Sequence, residues 1–451
     1  MKICKFILNK RNQTIYQCLV VVFFVSVHVY SQEKYDLKHC IETGLERNLE
    51  IKITQNNQQI SDNNLTIGNA GFLPTVDINS GYSGSINNVK QFPADGSANI
   101  NSNGINNSGL DAGVFLNWTV FDGFNVNTNY ARLKELQQKG ELNSRLTIEN
   151  FVADLTGEYC NFVQQNIRLN NLKSALKLSK ERLRIVEARY KIGSLSRLDL
   201  QQAKVDFNAD SSKLIRQQEV LFASRIKINQ LMALDNIEKL LVPADTAIRF
   251  NELLSKDIVF DKMMKMNSFI LLAEKEKNLS VLDLKSAQSK NYPYLKLNAG
   301  YGFSQNNYEV ATYKLQNNLG TNYGITLGYN LFDGFNRTRQ QKNAKIQIVN
   351  KDLEFEQIKL SLKSDFSNIW MAYRNNMELT NLEKENLSNA KENYQIAIDR
   401  YKLGDLSGIE LREAQNSLLE AEERLIQAQY NTKLSEISLL QISGQITDYL
   451  K

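Results

Sequence analysis

The sequence predicts an α+β membrane protein in which long antiparallel helical coiled coils form an α-barrel and four transmembrane β-strands per chain contribute to a trimeric, twelve-stranded β-barrel. Three observations predict it: an export signal at the N-terminus, an internal duplication of the remaining chain, and four alternating segments set inside an otherwise helical chain.

Residues 1–31 carry Lys2, Lys5, Lys10 and Arg11, then an apolar run from Leu19 to Val29, then Val29-Tyr30-Ser31 before Gln32. That is the order of a secretory signal peptide. The run is far short of the roughly 20 apolar residues that span a bilayer, and no later segment approaches that length, which excludes a helical inner-membrane protein. Neither Cys4 nor Cys18 follows the small-residue motif that lipid attachment needs. Removing four basic and no acidic residues lowers the formal charge from +5 to +1. No Lys/Arg-rich tract remains, so nucleic acid is not an expected partner. Cys40 and Cys160 are the cysteines of the exported chain; a disulfide and two buried small apolar residues both fit that pair.

Two motifs recur at an offset of 211 residues. Trp118-Thr119-Val120-Phe121-Asp122-Gly123-Phe124 returns as Tyr329-Asn330-Leu331-Phe332-Asp333-Gly334-Phe335, and Arg189-Tyr190-Lys191-Ile192-Gly193-Ser194-Leu195-Ser196 as Arg400-Tyr401-Lys402-Leu403-Gly404-Asp405-Leu406-Ser407. Asn48, Pro74 and Gly81-Tyr82 return as Asn267, Pro293 and Gly300-Tyr301 at an offset of 219. Such self-similarity organises the fold. The chain divides into a first copy at 32–242 and a second at 243–451. The first has eight extra residues between Tyr82 and Trp118, where the Asn/Ser/Gly-rich stretch 85–109 predicts a surface loop. Pro74, Pro93, Pro243 and Pro293 all avoid the long helical patterns. Each copy reads helix, strand, strand, long helix, turn, helix.

Strands are expected where apolar residues alternate. Leu295, Leu297, Ala299, Tyr301 and Phe303 face one way, and Lys296, Asn298, Gly300, Gly302 and Ser304 the other; Tyr323, Ile325, Leu327, Tyr329 and Leu331 alternate likewise. In the first copy Val76, Ile78 and Tyr82 oppose Asp77, Asn79 and Ser83, and Ala112, Val114, Leu116, Trp118 and Val120 complete the set. These segments define hairpins at about 72–121 and 292–332. Alternation alone equally suits hairpins on a soluble core. Inside lipid, however, four strands leave open edges whose unpaired amides and carbonyls each cost several kcal/mol, so subunits must pool strands. Two chains would supply only about eight strands, a filled barrel, and three about twelve, a conducting one.

Long helices are expected from Asn125 to Tyr190 and from Asn336 to Tyr401, each about 100 Å at 1.5 Å per residue. Asn125 or Asn127, and Asn336, are the expected N-caps. Shorter helices are predicted at Asp36–Gly68, Leu198–Leu234, Leu253–Gln288 and Ile409–Ser443. Heptad steps run through Leu169, Leu172, Leu176, Ser179, Leu183, Val186 and Tyr190, through Leu200, Ala203, Phe207, Asp210 and Leu214, and through Leu411, Ala414, Leu418 and Ala421. A soluble periplasmic coiled-coil scaffold fits these helices equally well. Catalysis has little material: His39 is the one histidine after residue 31, and no metal cluster, phosphate loop or nucleophile constellation is visible, so no cofactor is expected. An exported polysaccharide-acting enzyme ranks last for want of an acid/base pair.

With both repeated motifs placed, the chain resembles the TolC-like outer-membrane efflux proteins over nearly its whole exported length. Its departures are Thr119 and Asn330, where relatives carry proline before the Phe-Asp-Gly turn, and Leu406, where relatives carry a basic residue. The resemblance implies a homotrimeric, passive exit duct of a tripartite efflux or type I secretion system. That duct would sit in the outer-membrane lipid of a Gram-negative bacterium and extend into the periplasm. It further implies a periplasmic adaptor docking on the tips (191–197 and 402–408; Gly193, Ser194, Leu195, Ser196, Gly404, Asp405, Leu406, Ser407) and an inner-membrane transporter of RND, ABC or MFS class. At the periplasmic mouth it implies that Asp199 accepts a hydrogen bond from Tyr401 and that Glu410 and Glu413 form acidic rings, with Arg412 or Arg197 standing in for the missing base. Spacing alone reads Tyr190 and Tyr401 as seam residues, Gly193 and Gly404 as C-terminal caps, and Glu410 and Glu413 as a solvated face.

Overall fold

A computed structural model describes residues 34–450 apart from 95 and 312; the signal peptide lies outside the described residues. The chain opens with β1 (Lys34–Tyr35), then α1 (Leu37–Arg47), α2 (Leu49–Asn64) and the single turn α3 (Ile67–Ala70). Next come β2 (Thr75–Gln91), β3 (Ile100–Phe121), the 67-residue α4 (Asn125–Lys191) and α5 (Arg197–Leu231). After β4 (Val242–Pro243) the order returns as α6 (Lys256–Met266), α7 (Ser268–Ser289), β5 (Tyr294–Asn307), β6 (Leu315–Gly328), the 68-residue α8 (Asn336–Leu403) and α9 (Gly408–Ile442). A short 3-10 turn, Ile446–Leu450, ends the described chain.

The predicted first and third short helices are each broken, and the repeated asparagines break them. Asn48 leaves helical geometry, accepts from the Glu50 and Ile51 amides, and donates to the Leu231 carbonyl at 3.0 Å. Asn267 accepts from Phe269 and Ile270 and donates to the Ile442 carbonyl at 2.8 Å. One side chain thus starts α2 or α7 and ends α5 or α9. Thr66 makes a further break by capping α3.

Around these joints lie two cores. One gathers Cys40, Ile51, Phe151, Leu155, Phe162 and Ile228, and the other Val259, Ile270, Leu362, Phe366, Tyr373 and Leu439. Each of these six in the second stands 219 or 211 residues after one of the six in the first. Gly44 faces the Phe151 ring, where a Cβ would sit 2.3 Å from the ring; in the second core Met263 and Leu362 fill the corresponding places. Glycine beside phenylalanine has become methionine beside leucine, two medium side chains where the first core has one large ring and a bare backbone. Cys40 and Cys160 are free and buried, and burial pushes each thiol up to about 12.

The four long strands form one antiparallel sheet in the order β2-β3-β5-β6. The expected loop over 85–109 is corrected: pairing continues out to Gln91↔Ile100, with a bulge between Asn87 and Val89. Polarity in that stretch reports solvent on both faces, whereas the ladder is held by backbone hydrogen bonds that Asn and Ser do not disturb. Tyr329 and Leu331 are corrected too, because β6 ends at Gly328 opposite Tyr294. Beyond that point its one neighbour runs into Pro293, which has no amide to donate.

Neither Asn125, Asn127 nor Asn336 caps a long helix. Phe124 and Phe335 stand at the N-caps with φ of 68° and 63°, and Asp122 and Asp333 accept from the Val126 and Arg337 amides at 3.1 and 2.8 Å. The aspartate reaches over two left-handed residues, Gly123 (φ 71°) and Phe124, so the cap comes from three residues before the first helical position. Phe121 meets Phe124 edge-on at 5.2 Å, and Phe332 meets Phe335 at 5.3 Å, which clamps the strand-to-helix corner.

Helix packing obeys the same plan. Toward the sheet the neighbours run α2-α4-α7-α8, and away from it α5-α4-α9-α8, as antiparallel layers one helix thick. Among the described residues no helix is long and apolar enough to cross a membrane.

Candidate functional site: the helical tips

Where α4 turns into α5, Gly193 takes φ 79°, its amide bonding to the Tyr190 carbonyl and that of Ser194 to the Arg189 carbonyl. Where α8 turns into α9, Gly404 takes φ 93°, with the same two bonds to Tyr401 and Arg400. Both glycines end their helices in left-handed geometry that a Cβ resists. Ser196 and Ser407 then open the return helices with full capping boxes.

Those boxes correct the expected role of the first tip acid. The Asp199 carboxylate accepts from the Ser196 amide at 3.0 Å and hydroxyl at 2.7 Å, and no hydrogen bond joins it to Tyr401. Glu410 does the same on Ser407, at 2.9 and 2.7 Å. An acid three residues into a helix, behind a serine cap, satisfies its own N-terminus before anything more distant. The Ser196 hydroxyl, then its amide, hold the Asp199 carboxyl below the usual carboxylate range; Ser407 does so for Glu410, helped by the charge of Arg400. Both acids and Glu413 are exposed on this chain.

The two tip tyrosines, alike in sequence, differ in place. Tyr401 is 4% exposed among Ala397, Leu411 and Ala414, with Ile185 and Leu406 beside it, whereas Tyr190 is 39% exposed and only half meets its seam expectation. The Arg189 guanidinium lies 5.2 Å from the Tyr401 ring centroid and donates at 3.3 Å to the Tyr401 and Lys402 carbonyls. Burial raises the Tyr401 phenol pKa, against the pull of Arg189 and Arg182.

Arg412, expected as a stand-in base at the mouth, is instead committed inside the chain. It forks onto both Asp210 oxygens at 2.7 and 2.8 Å, while Ser179 donates to the same carboxylate and Gln415 reaches the Ala175 carbonyl. Arg182 pairs with Asp206 at 2.5 Å one turn nearer the tip. Burial pushes the Asp210 carboxyl up, but the Arg412 and Ser179 hydrogen bonds prevail and the net shift is downward. Sequence reasoning missed this cluster although its signal was present: Ser179 and Asp210 are polar interruptions of the two apolar seams.

The family described as "Outer membrane efflux protein" matches residues 40–234 and 270–445. The outer membrane protein TolC of Vibrio cholerae is 21% identical, over 85% of this chain and 85% of its own. The outer membrane efflux protein BepC of Brucella suis is 18% identical over 74% and 72%. Among solved structures, the CmeC outer membrane channel of Campylobacter jejuni superposes with a TM-score of 0.75 at 16% identity, covering 91% of this chain and 85% of that one. The outer-membrane channel OprN gives 0.74 at 19%, covering 91% and 90%.

Proposed function

The chain belongs to the outer membrane efflux protein family, and from that premise we propose that three copies close its open sheet and helix layers into one continuous duct. The protein is an exit duct for efflux, placed in the outer membrane and reaching into the periplasm, in a family of channels and not of enzymes. A soluble periplasmic scaffold is not favoured.

The open edges carry the trimer reading. Taking 32–242 and 243–451 as two copies, β3 of the first pairs with β5 of the second within the chain, so the equivalent contact for β6 is β2 of the next subunit. Helices repeat the logic: α4 packs on α7 and α9, and α8 has the matching faces free for α2 and α5 of a neighbour. Leu279 on α7 is 7% exposed, while Ile60, its counterpart on α2, is 56% exposed. Three four-stranded sheets supply the twelve strands of a conducting barrel, with Val76, Ile78, Tyr82, Tyr323, Ile325 and Leu327 turned to lipid.

The mouth of the duct lies at the tips. Asp199, Glu410 and Glu413 line the constriction with Tyr401 buried behind them, and there the acids draw cations by field focusing. Ile192, Leu198, Leu403 and Ile409, all at least 76% exposed, surround Gly193–Ser196 and Gly404–Ser407 with the apolar surface a periplasmic adaptor needs. Energy comes from an inner-membrane pump of RND, ABC or MFS class behind that adaptor, and passage through the duct is passive.

Outer membranes extracted in detergent and run unheated and heated on a denaturing gel test the assembly. A band near three times the subunit mass that collapses on heating is expected; monomer in the soluble periplasmic fraction overturns it. Leu198→Asp with Ile409→Asp tests docking: efflux falls toward the level of a channel-free strain while that heat-sensitive band persists.

A further inference from the structure

Arg189 clamps the second tip from the first, and the repeat carries the same pair of residues one copy later. Ile185 and Arg189 lie one turn apart on α4 and cover Tyr401: the isoleucine packs on its cluster, and the guanidinium stacks on its ring and donates to the Tyr401 and Lys402 carbonyls. Adding 211 gives Ile396 and Arg400 on α8. Ile396 is 52% exposed, and the exposed Arg400 side chain makes no hydrogen bond or ion pair among the described residues. At the other open edge Tyr190, counterpart of Tyr401, is exposed above Val186 and Ala203, counterparts of Ala397 and Ala414. The Tyr190 carbonyl meets the Ile192 and Gly193 amides and no side-chain donor among the described residues, and that of Lys191, last in α4, accepts from no group among them.

We propose that Arg400 of one subunit clamps the α4 tip of the next. It stacks on the neighbour's Tyr190 ring and donates to the carbonyls of Tyr190 and Lys191, with Ile396 packed beneath, so that cis and trans clamps alternate around the mouth. The partner is a second copy of this chain, and the inference rests on the ring closure proposed above. A guanidinium suits the place because it is planar enough to stack while its fork reaches two carbonyls at the negative end of a helix.

Cysteine pairs test it in the full-length assembled protein. With Arg400→Cys and Tyr190→Cys together, a short bifunctional thiol reagent is expected to give covalent dimers and trimers on a fully denaturing gel. Either single variant gives none, and Arg189→Cys with Tyr401→Cys gives intrachain links only. The unheated band reports assembly separately: an intact trimer whose 400/190 pair stays monomeric overturns the clamp, whereas loss of the trimer in unmodified protein overturns ring closure itself. In bilayers, Arg400→Gln is expected to raise single-channel conductance several-fold and Arg400→Lys to raise it too, since an ammonium cannot stack and fork at once. Unchanged conductance in both overturns the clamp.

Discussion

Arg412 and Asp210 show how a pair of side chains can hold one hairpin against another. The pair is nearly dry, with side chains 14% and 2% exposed, and its geometry is bidentate. Removing one partner strands the other, which typically costs about 3–5 kcal/mol, whereas replacing both with apolar residues of similar volume is often close to neutral. Arg412→Ala should therefore loosen the tips and expose 175–215 to protease, while Arg412→Met with Asp210→Leu should restore most of the resistance. Acid acts on the same bond. Because the folded Asp210 pKa is depressed, its contribution is present above the ordinary carboxylate value near 4 and is lost as pH falls through the lower folded value. Proteolysis of the tips should thus stay slow down to about pH 4 and accelerate below it, and Asp210→Asn should remove that acid step. Seam periodicity marked Ser179 and Asp210 as exceptions, but the partner waits 202 residues away on α9 and no spacing rule finds it.

At the scale of elements, the corner between strand and long helix is the demanding joint. A Cβ on Gly123 would stand 2.2 Å from the Ser289 carbonyl oxygen, in a backbone conformation that already disfavours one. Gly334 shares the positive φ but has only the Asn336 amide nearby, at 3.7 Å. Gly123→Ala is expected to abolish the heat-sensitive oligomer, and Gly334→Ala to cost about 1–2 kcal/mol, the strain of a left-handed residue, read as a modest fall in its melting temperature. The Phe-Asp-Gly spacing located this corner in the sequence. Which residue caps the helix was not legible there, because two left-handed residues carry Asp122 and Asp333 past the nearer asparagines. Breaks at Asn48 and Asn267 escaped sequence reading for a related reason: the carbonyls that reward the break belong to helices far along the chain.

At the scale of the molecule, the two faces of the sheet differ in what they tolerate. Ile78, 81% exposed on the face proposed to meet lipid, should resist charge: Ile78→Lys is expected to cost up to about 2–4 kcal/mol near the bilayer midplane and to reduce the heat-sensitive band. Asp77→Lys on the opposite face should leave assembly intact and shift ion selectivity in bilayers. The class of every long element and the turns at both tips were determined by the sequence alone, because each is a local matter of length, period or a glycine that must turn. Tertiary structure alone decided the rest: that the polar stretch before Gly109 is paired strand, that Asp199 serves its own helix, that Arg412 is spent on Asp210, and that Tyr401 is covered while Tyr190 is open. Those outcomes depend on which groups compete for the same donor or the same volume, and that competition exists only once the distant parts of the chain have met.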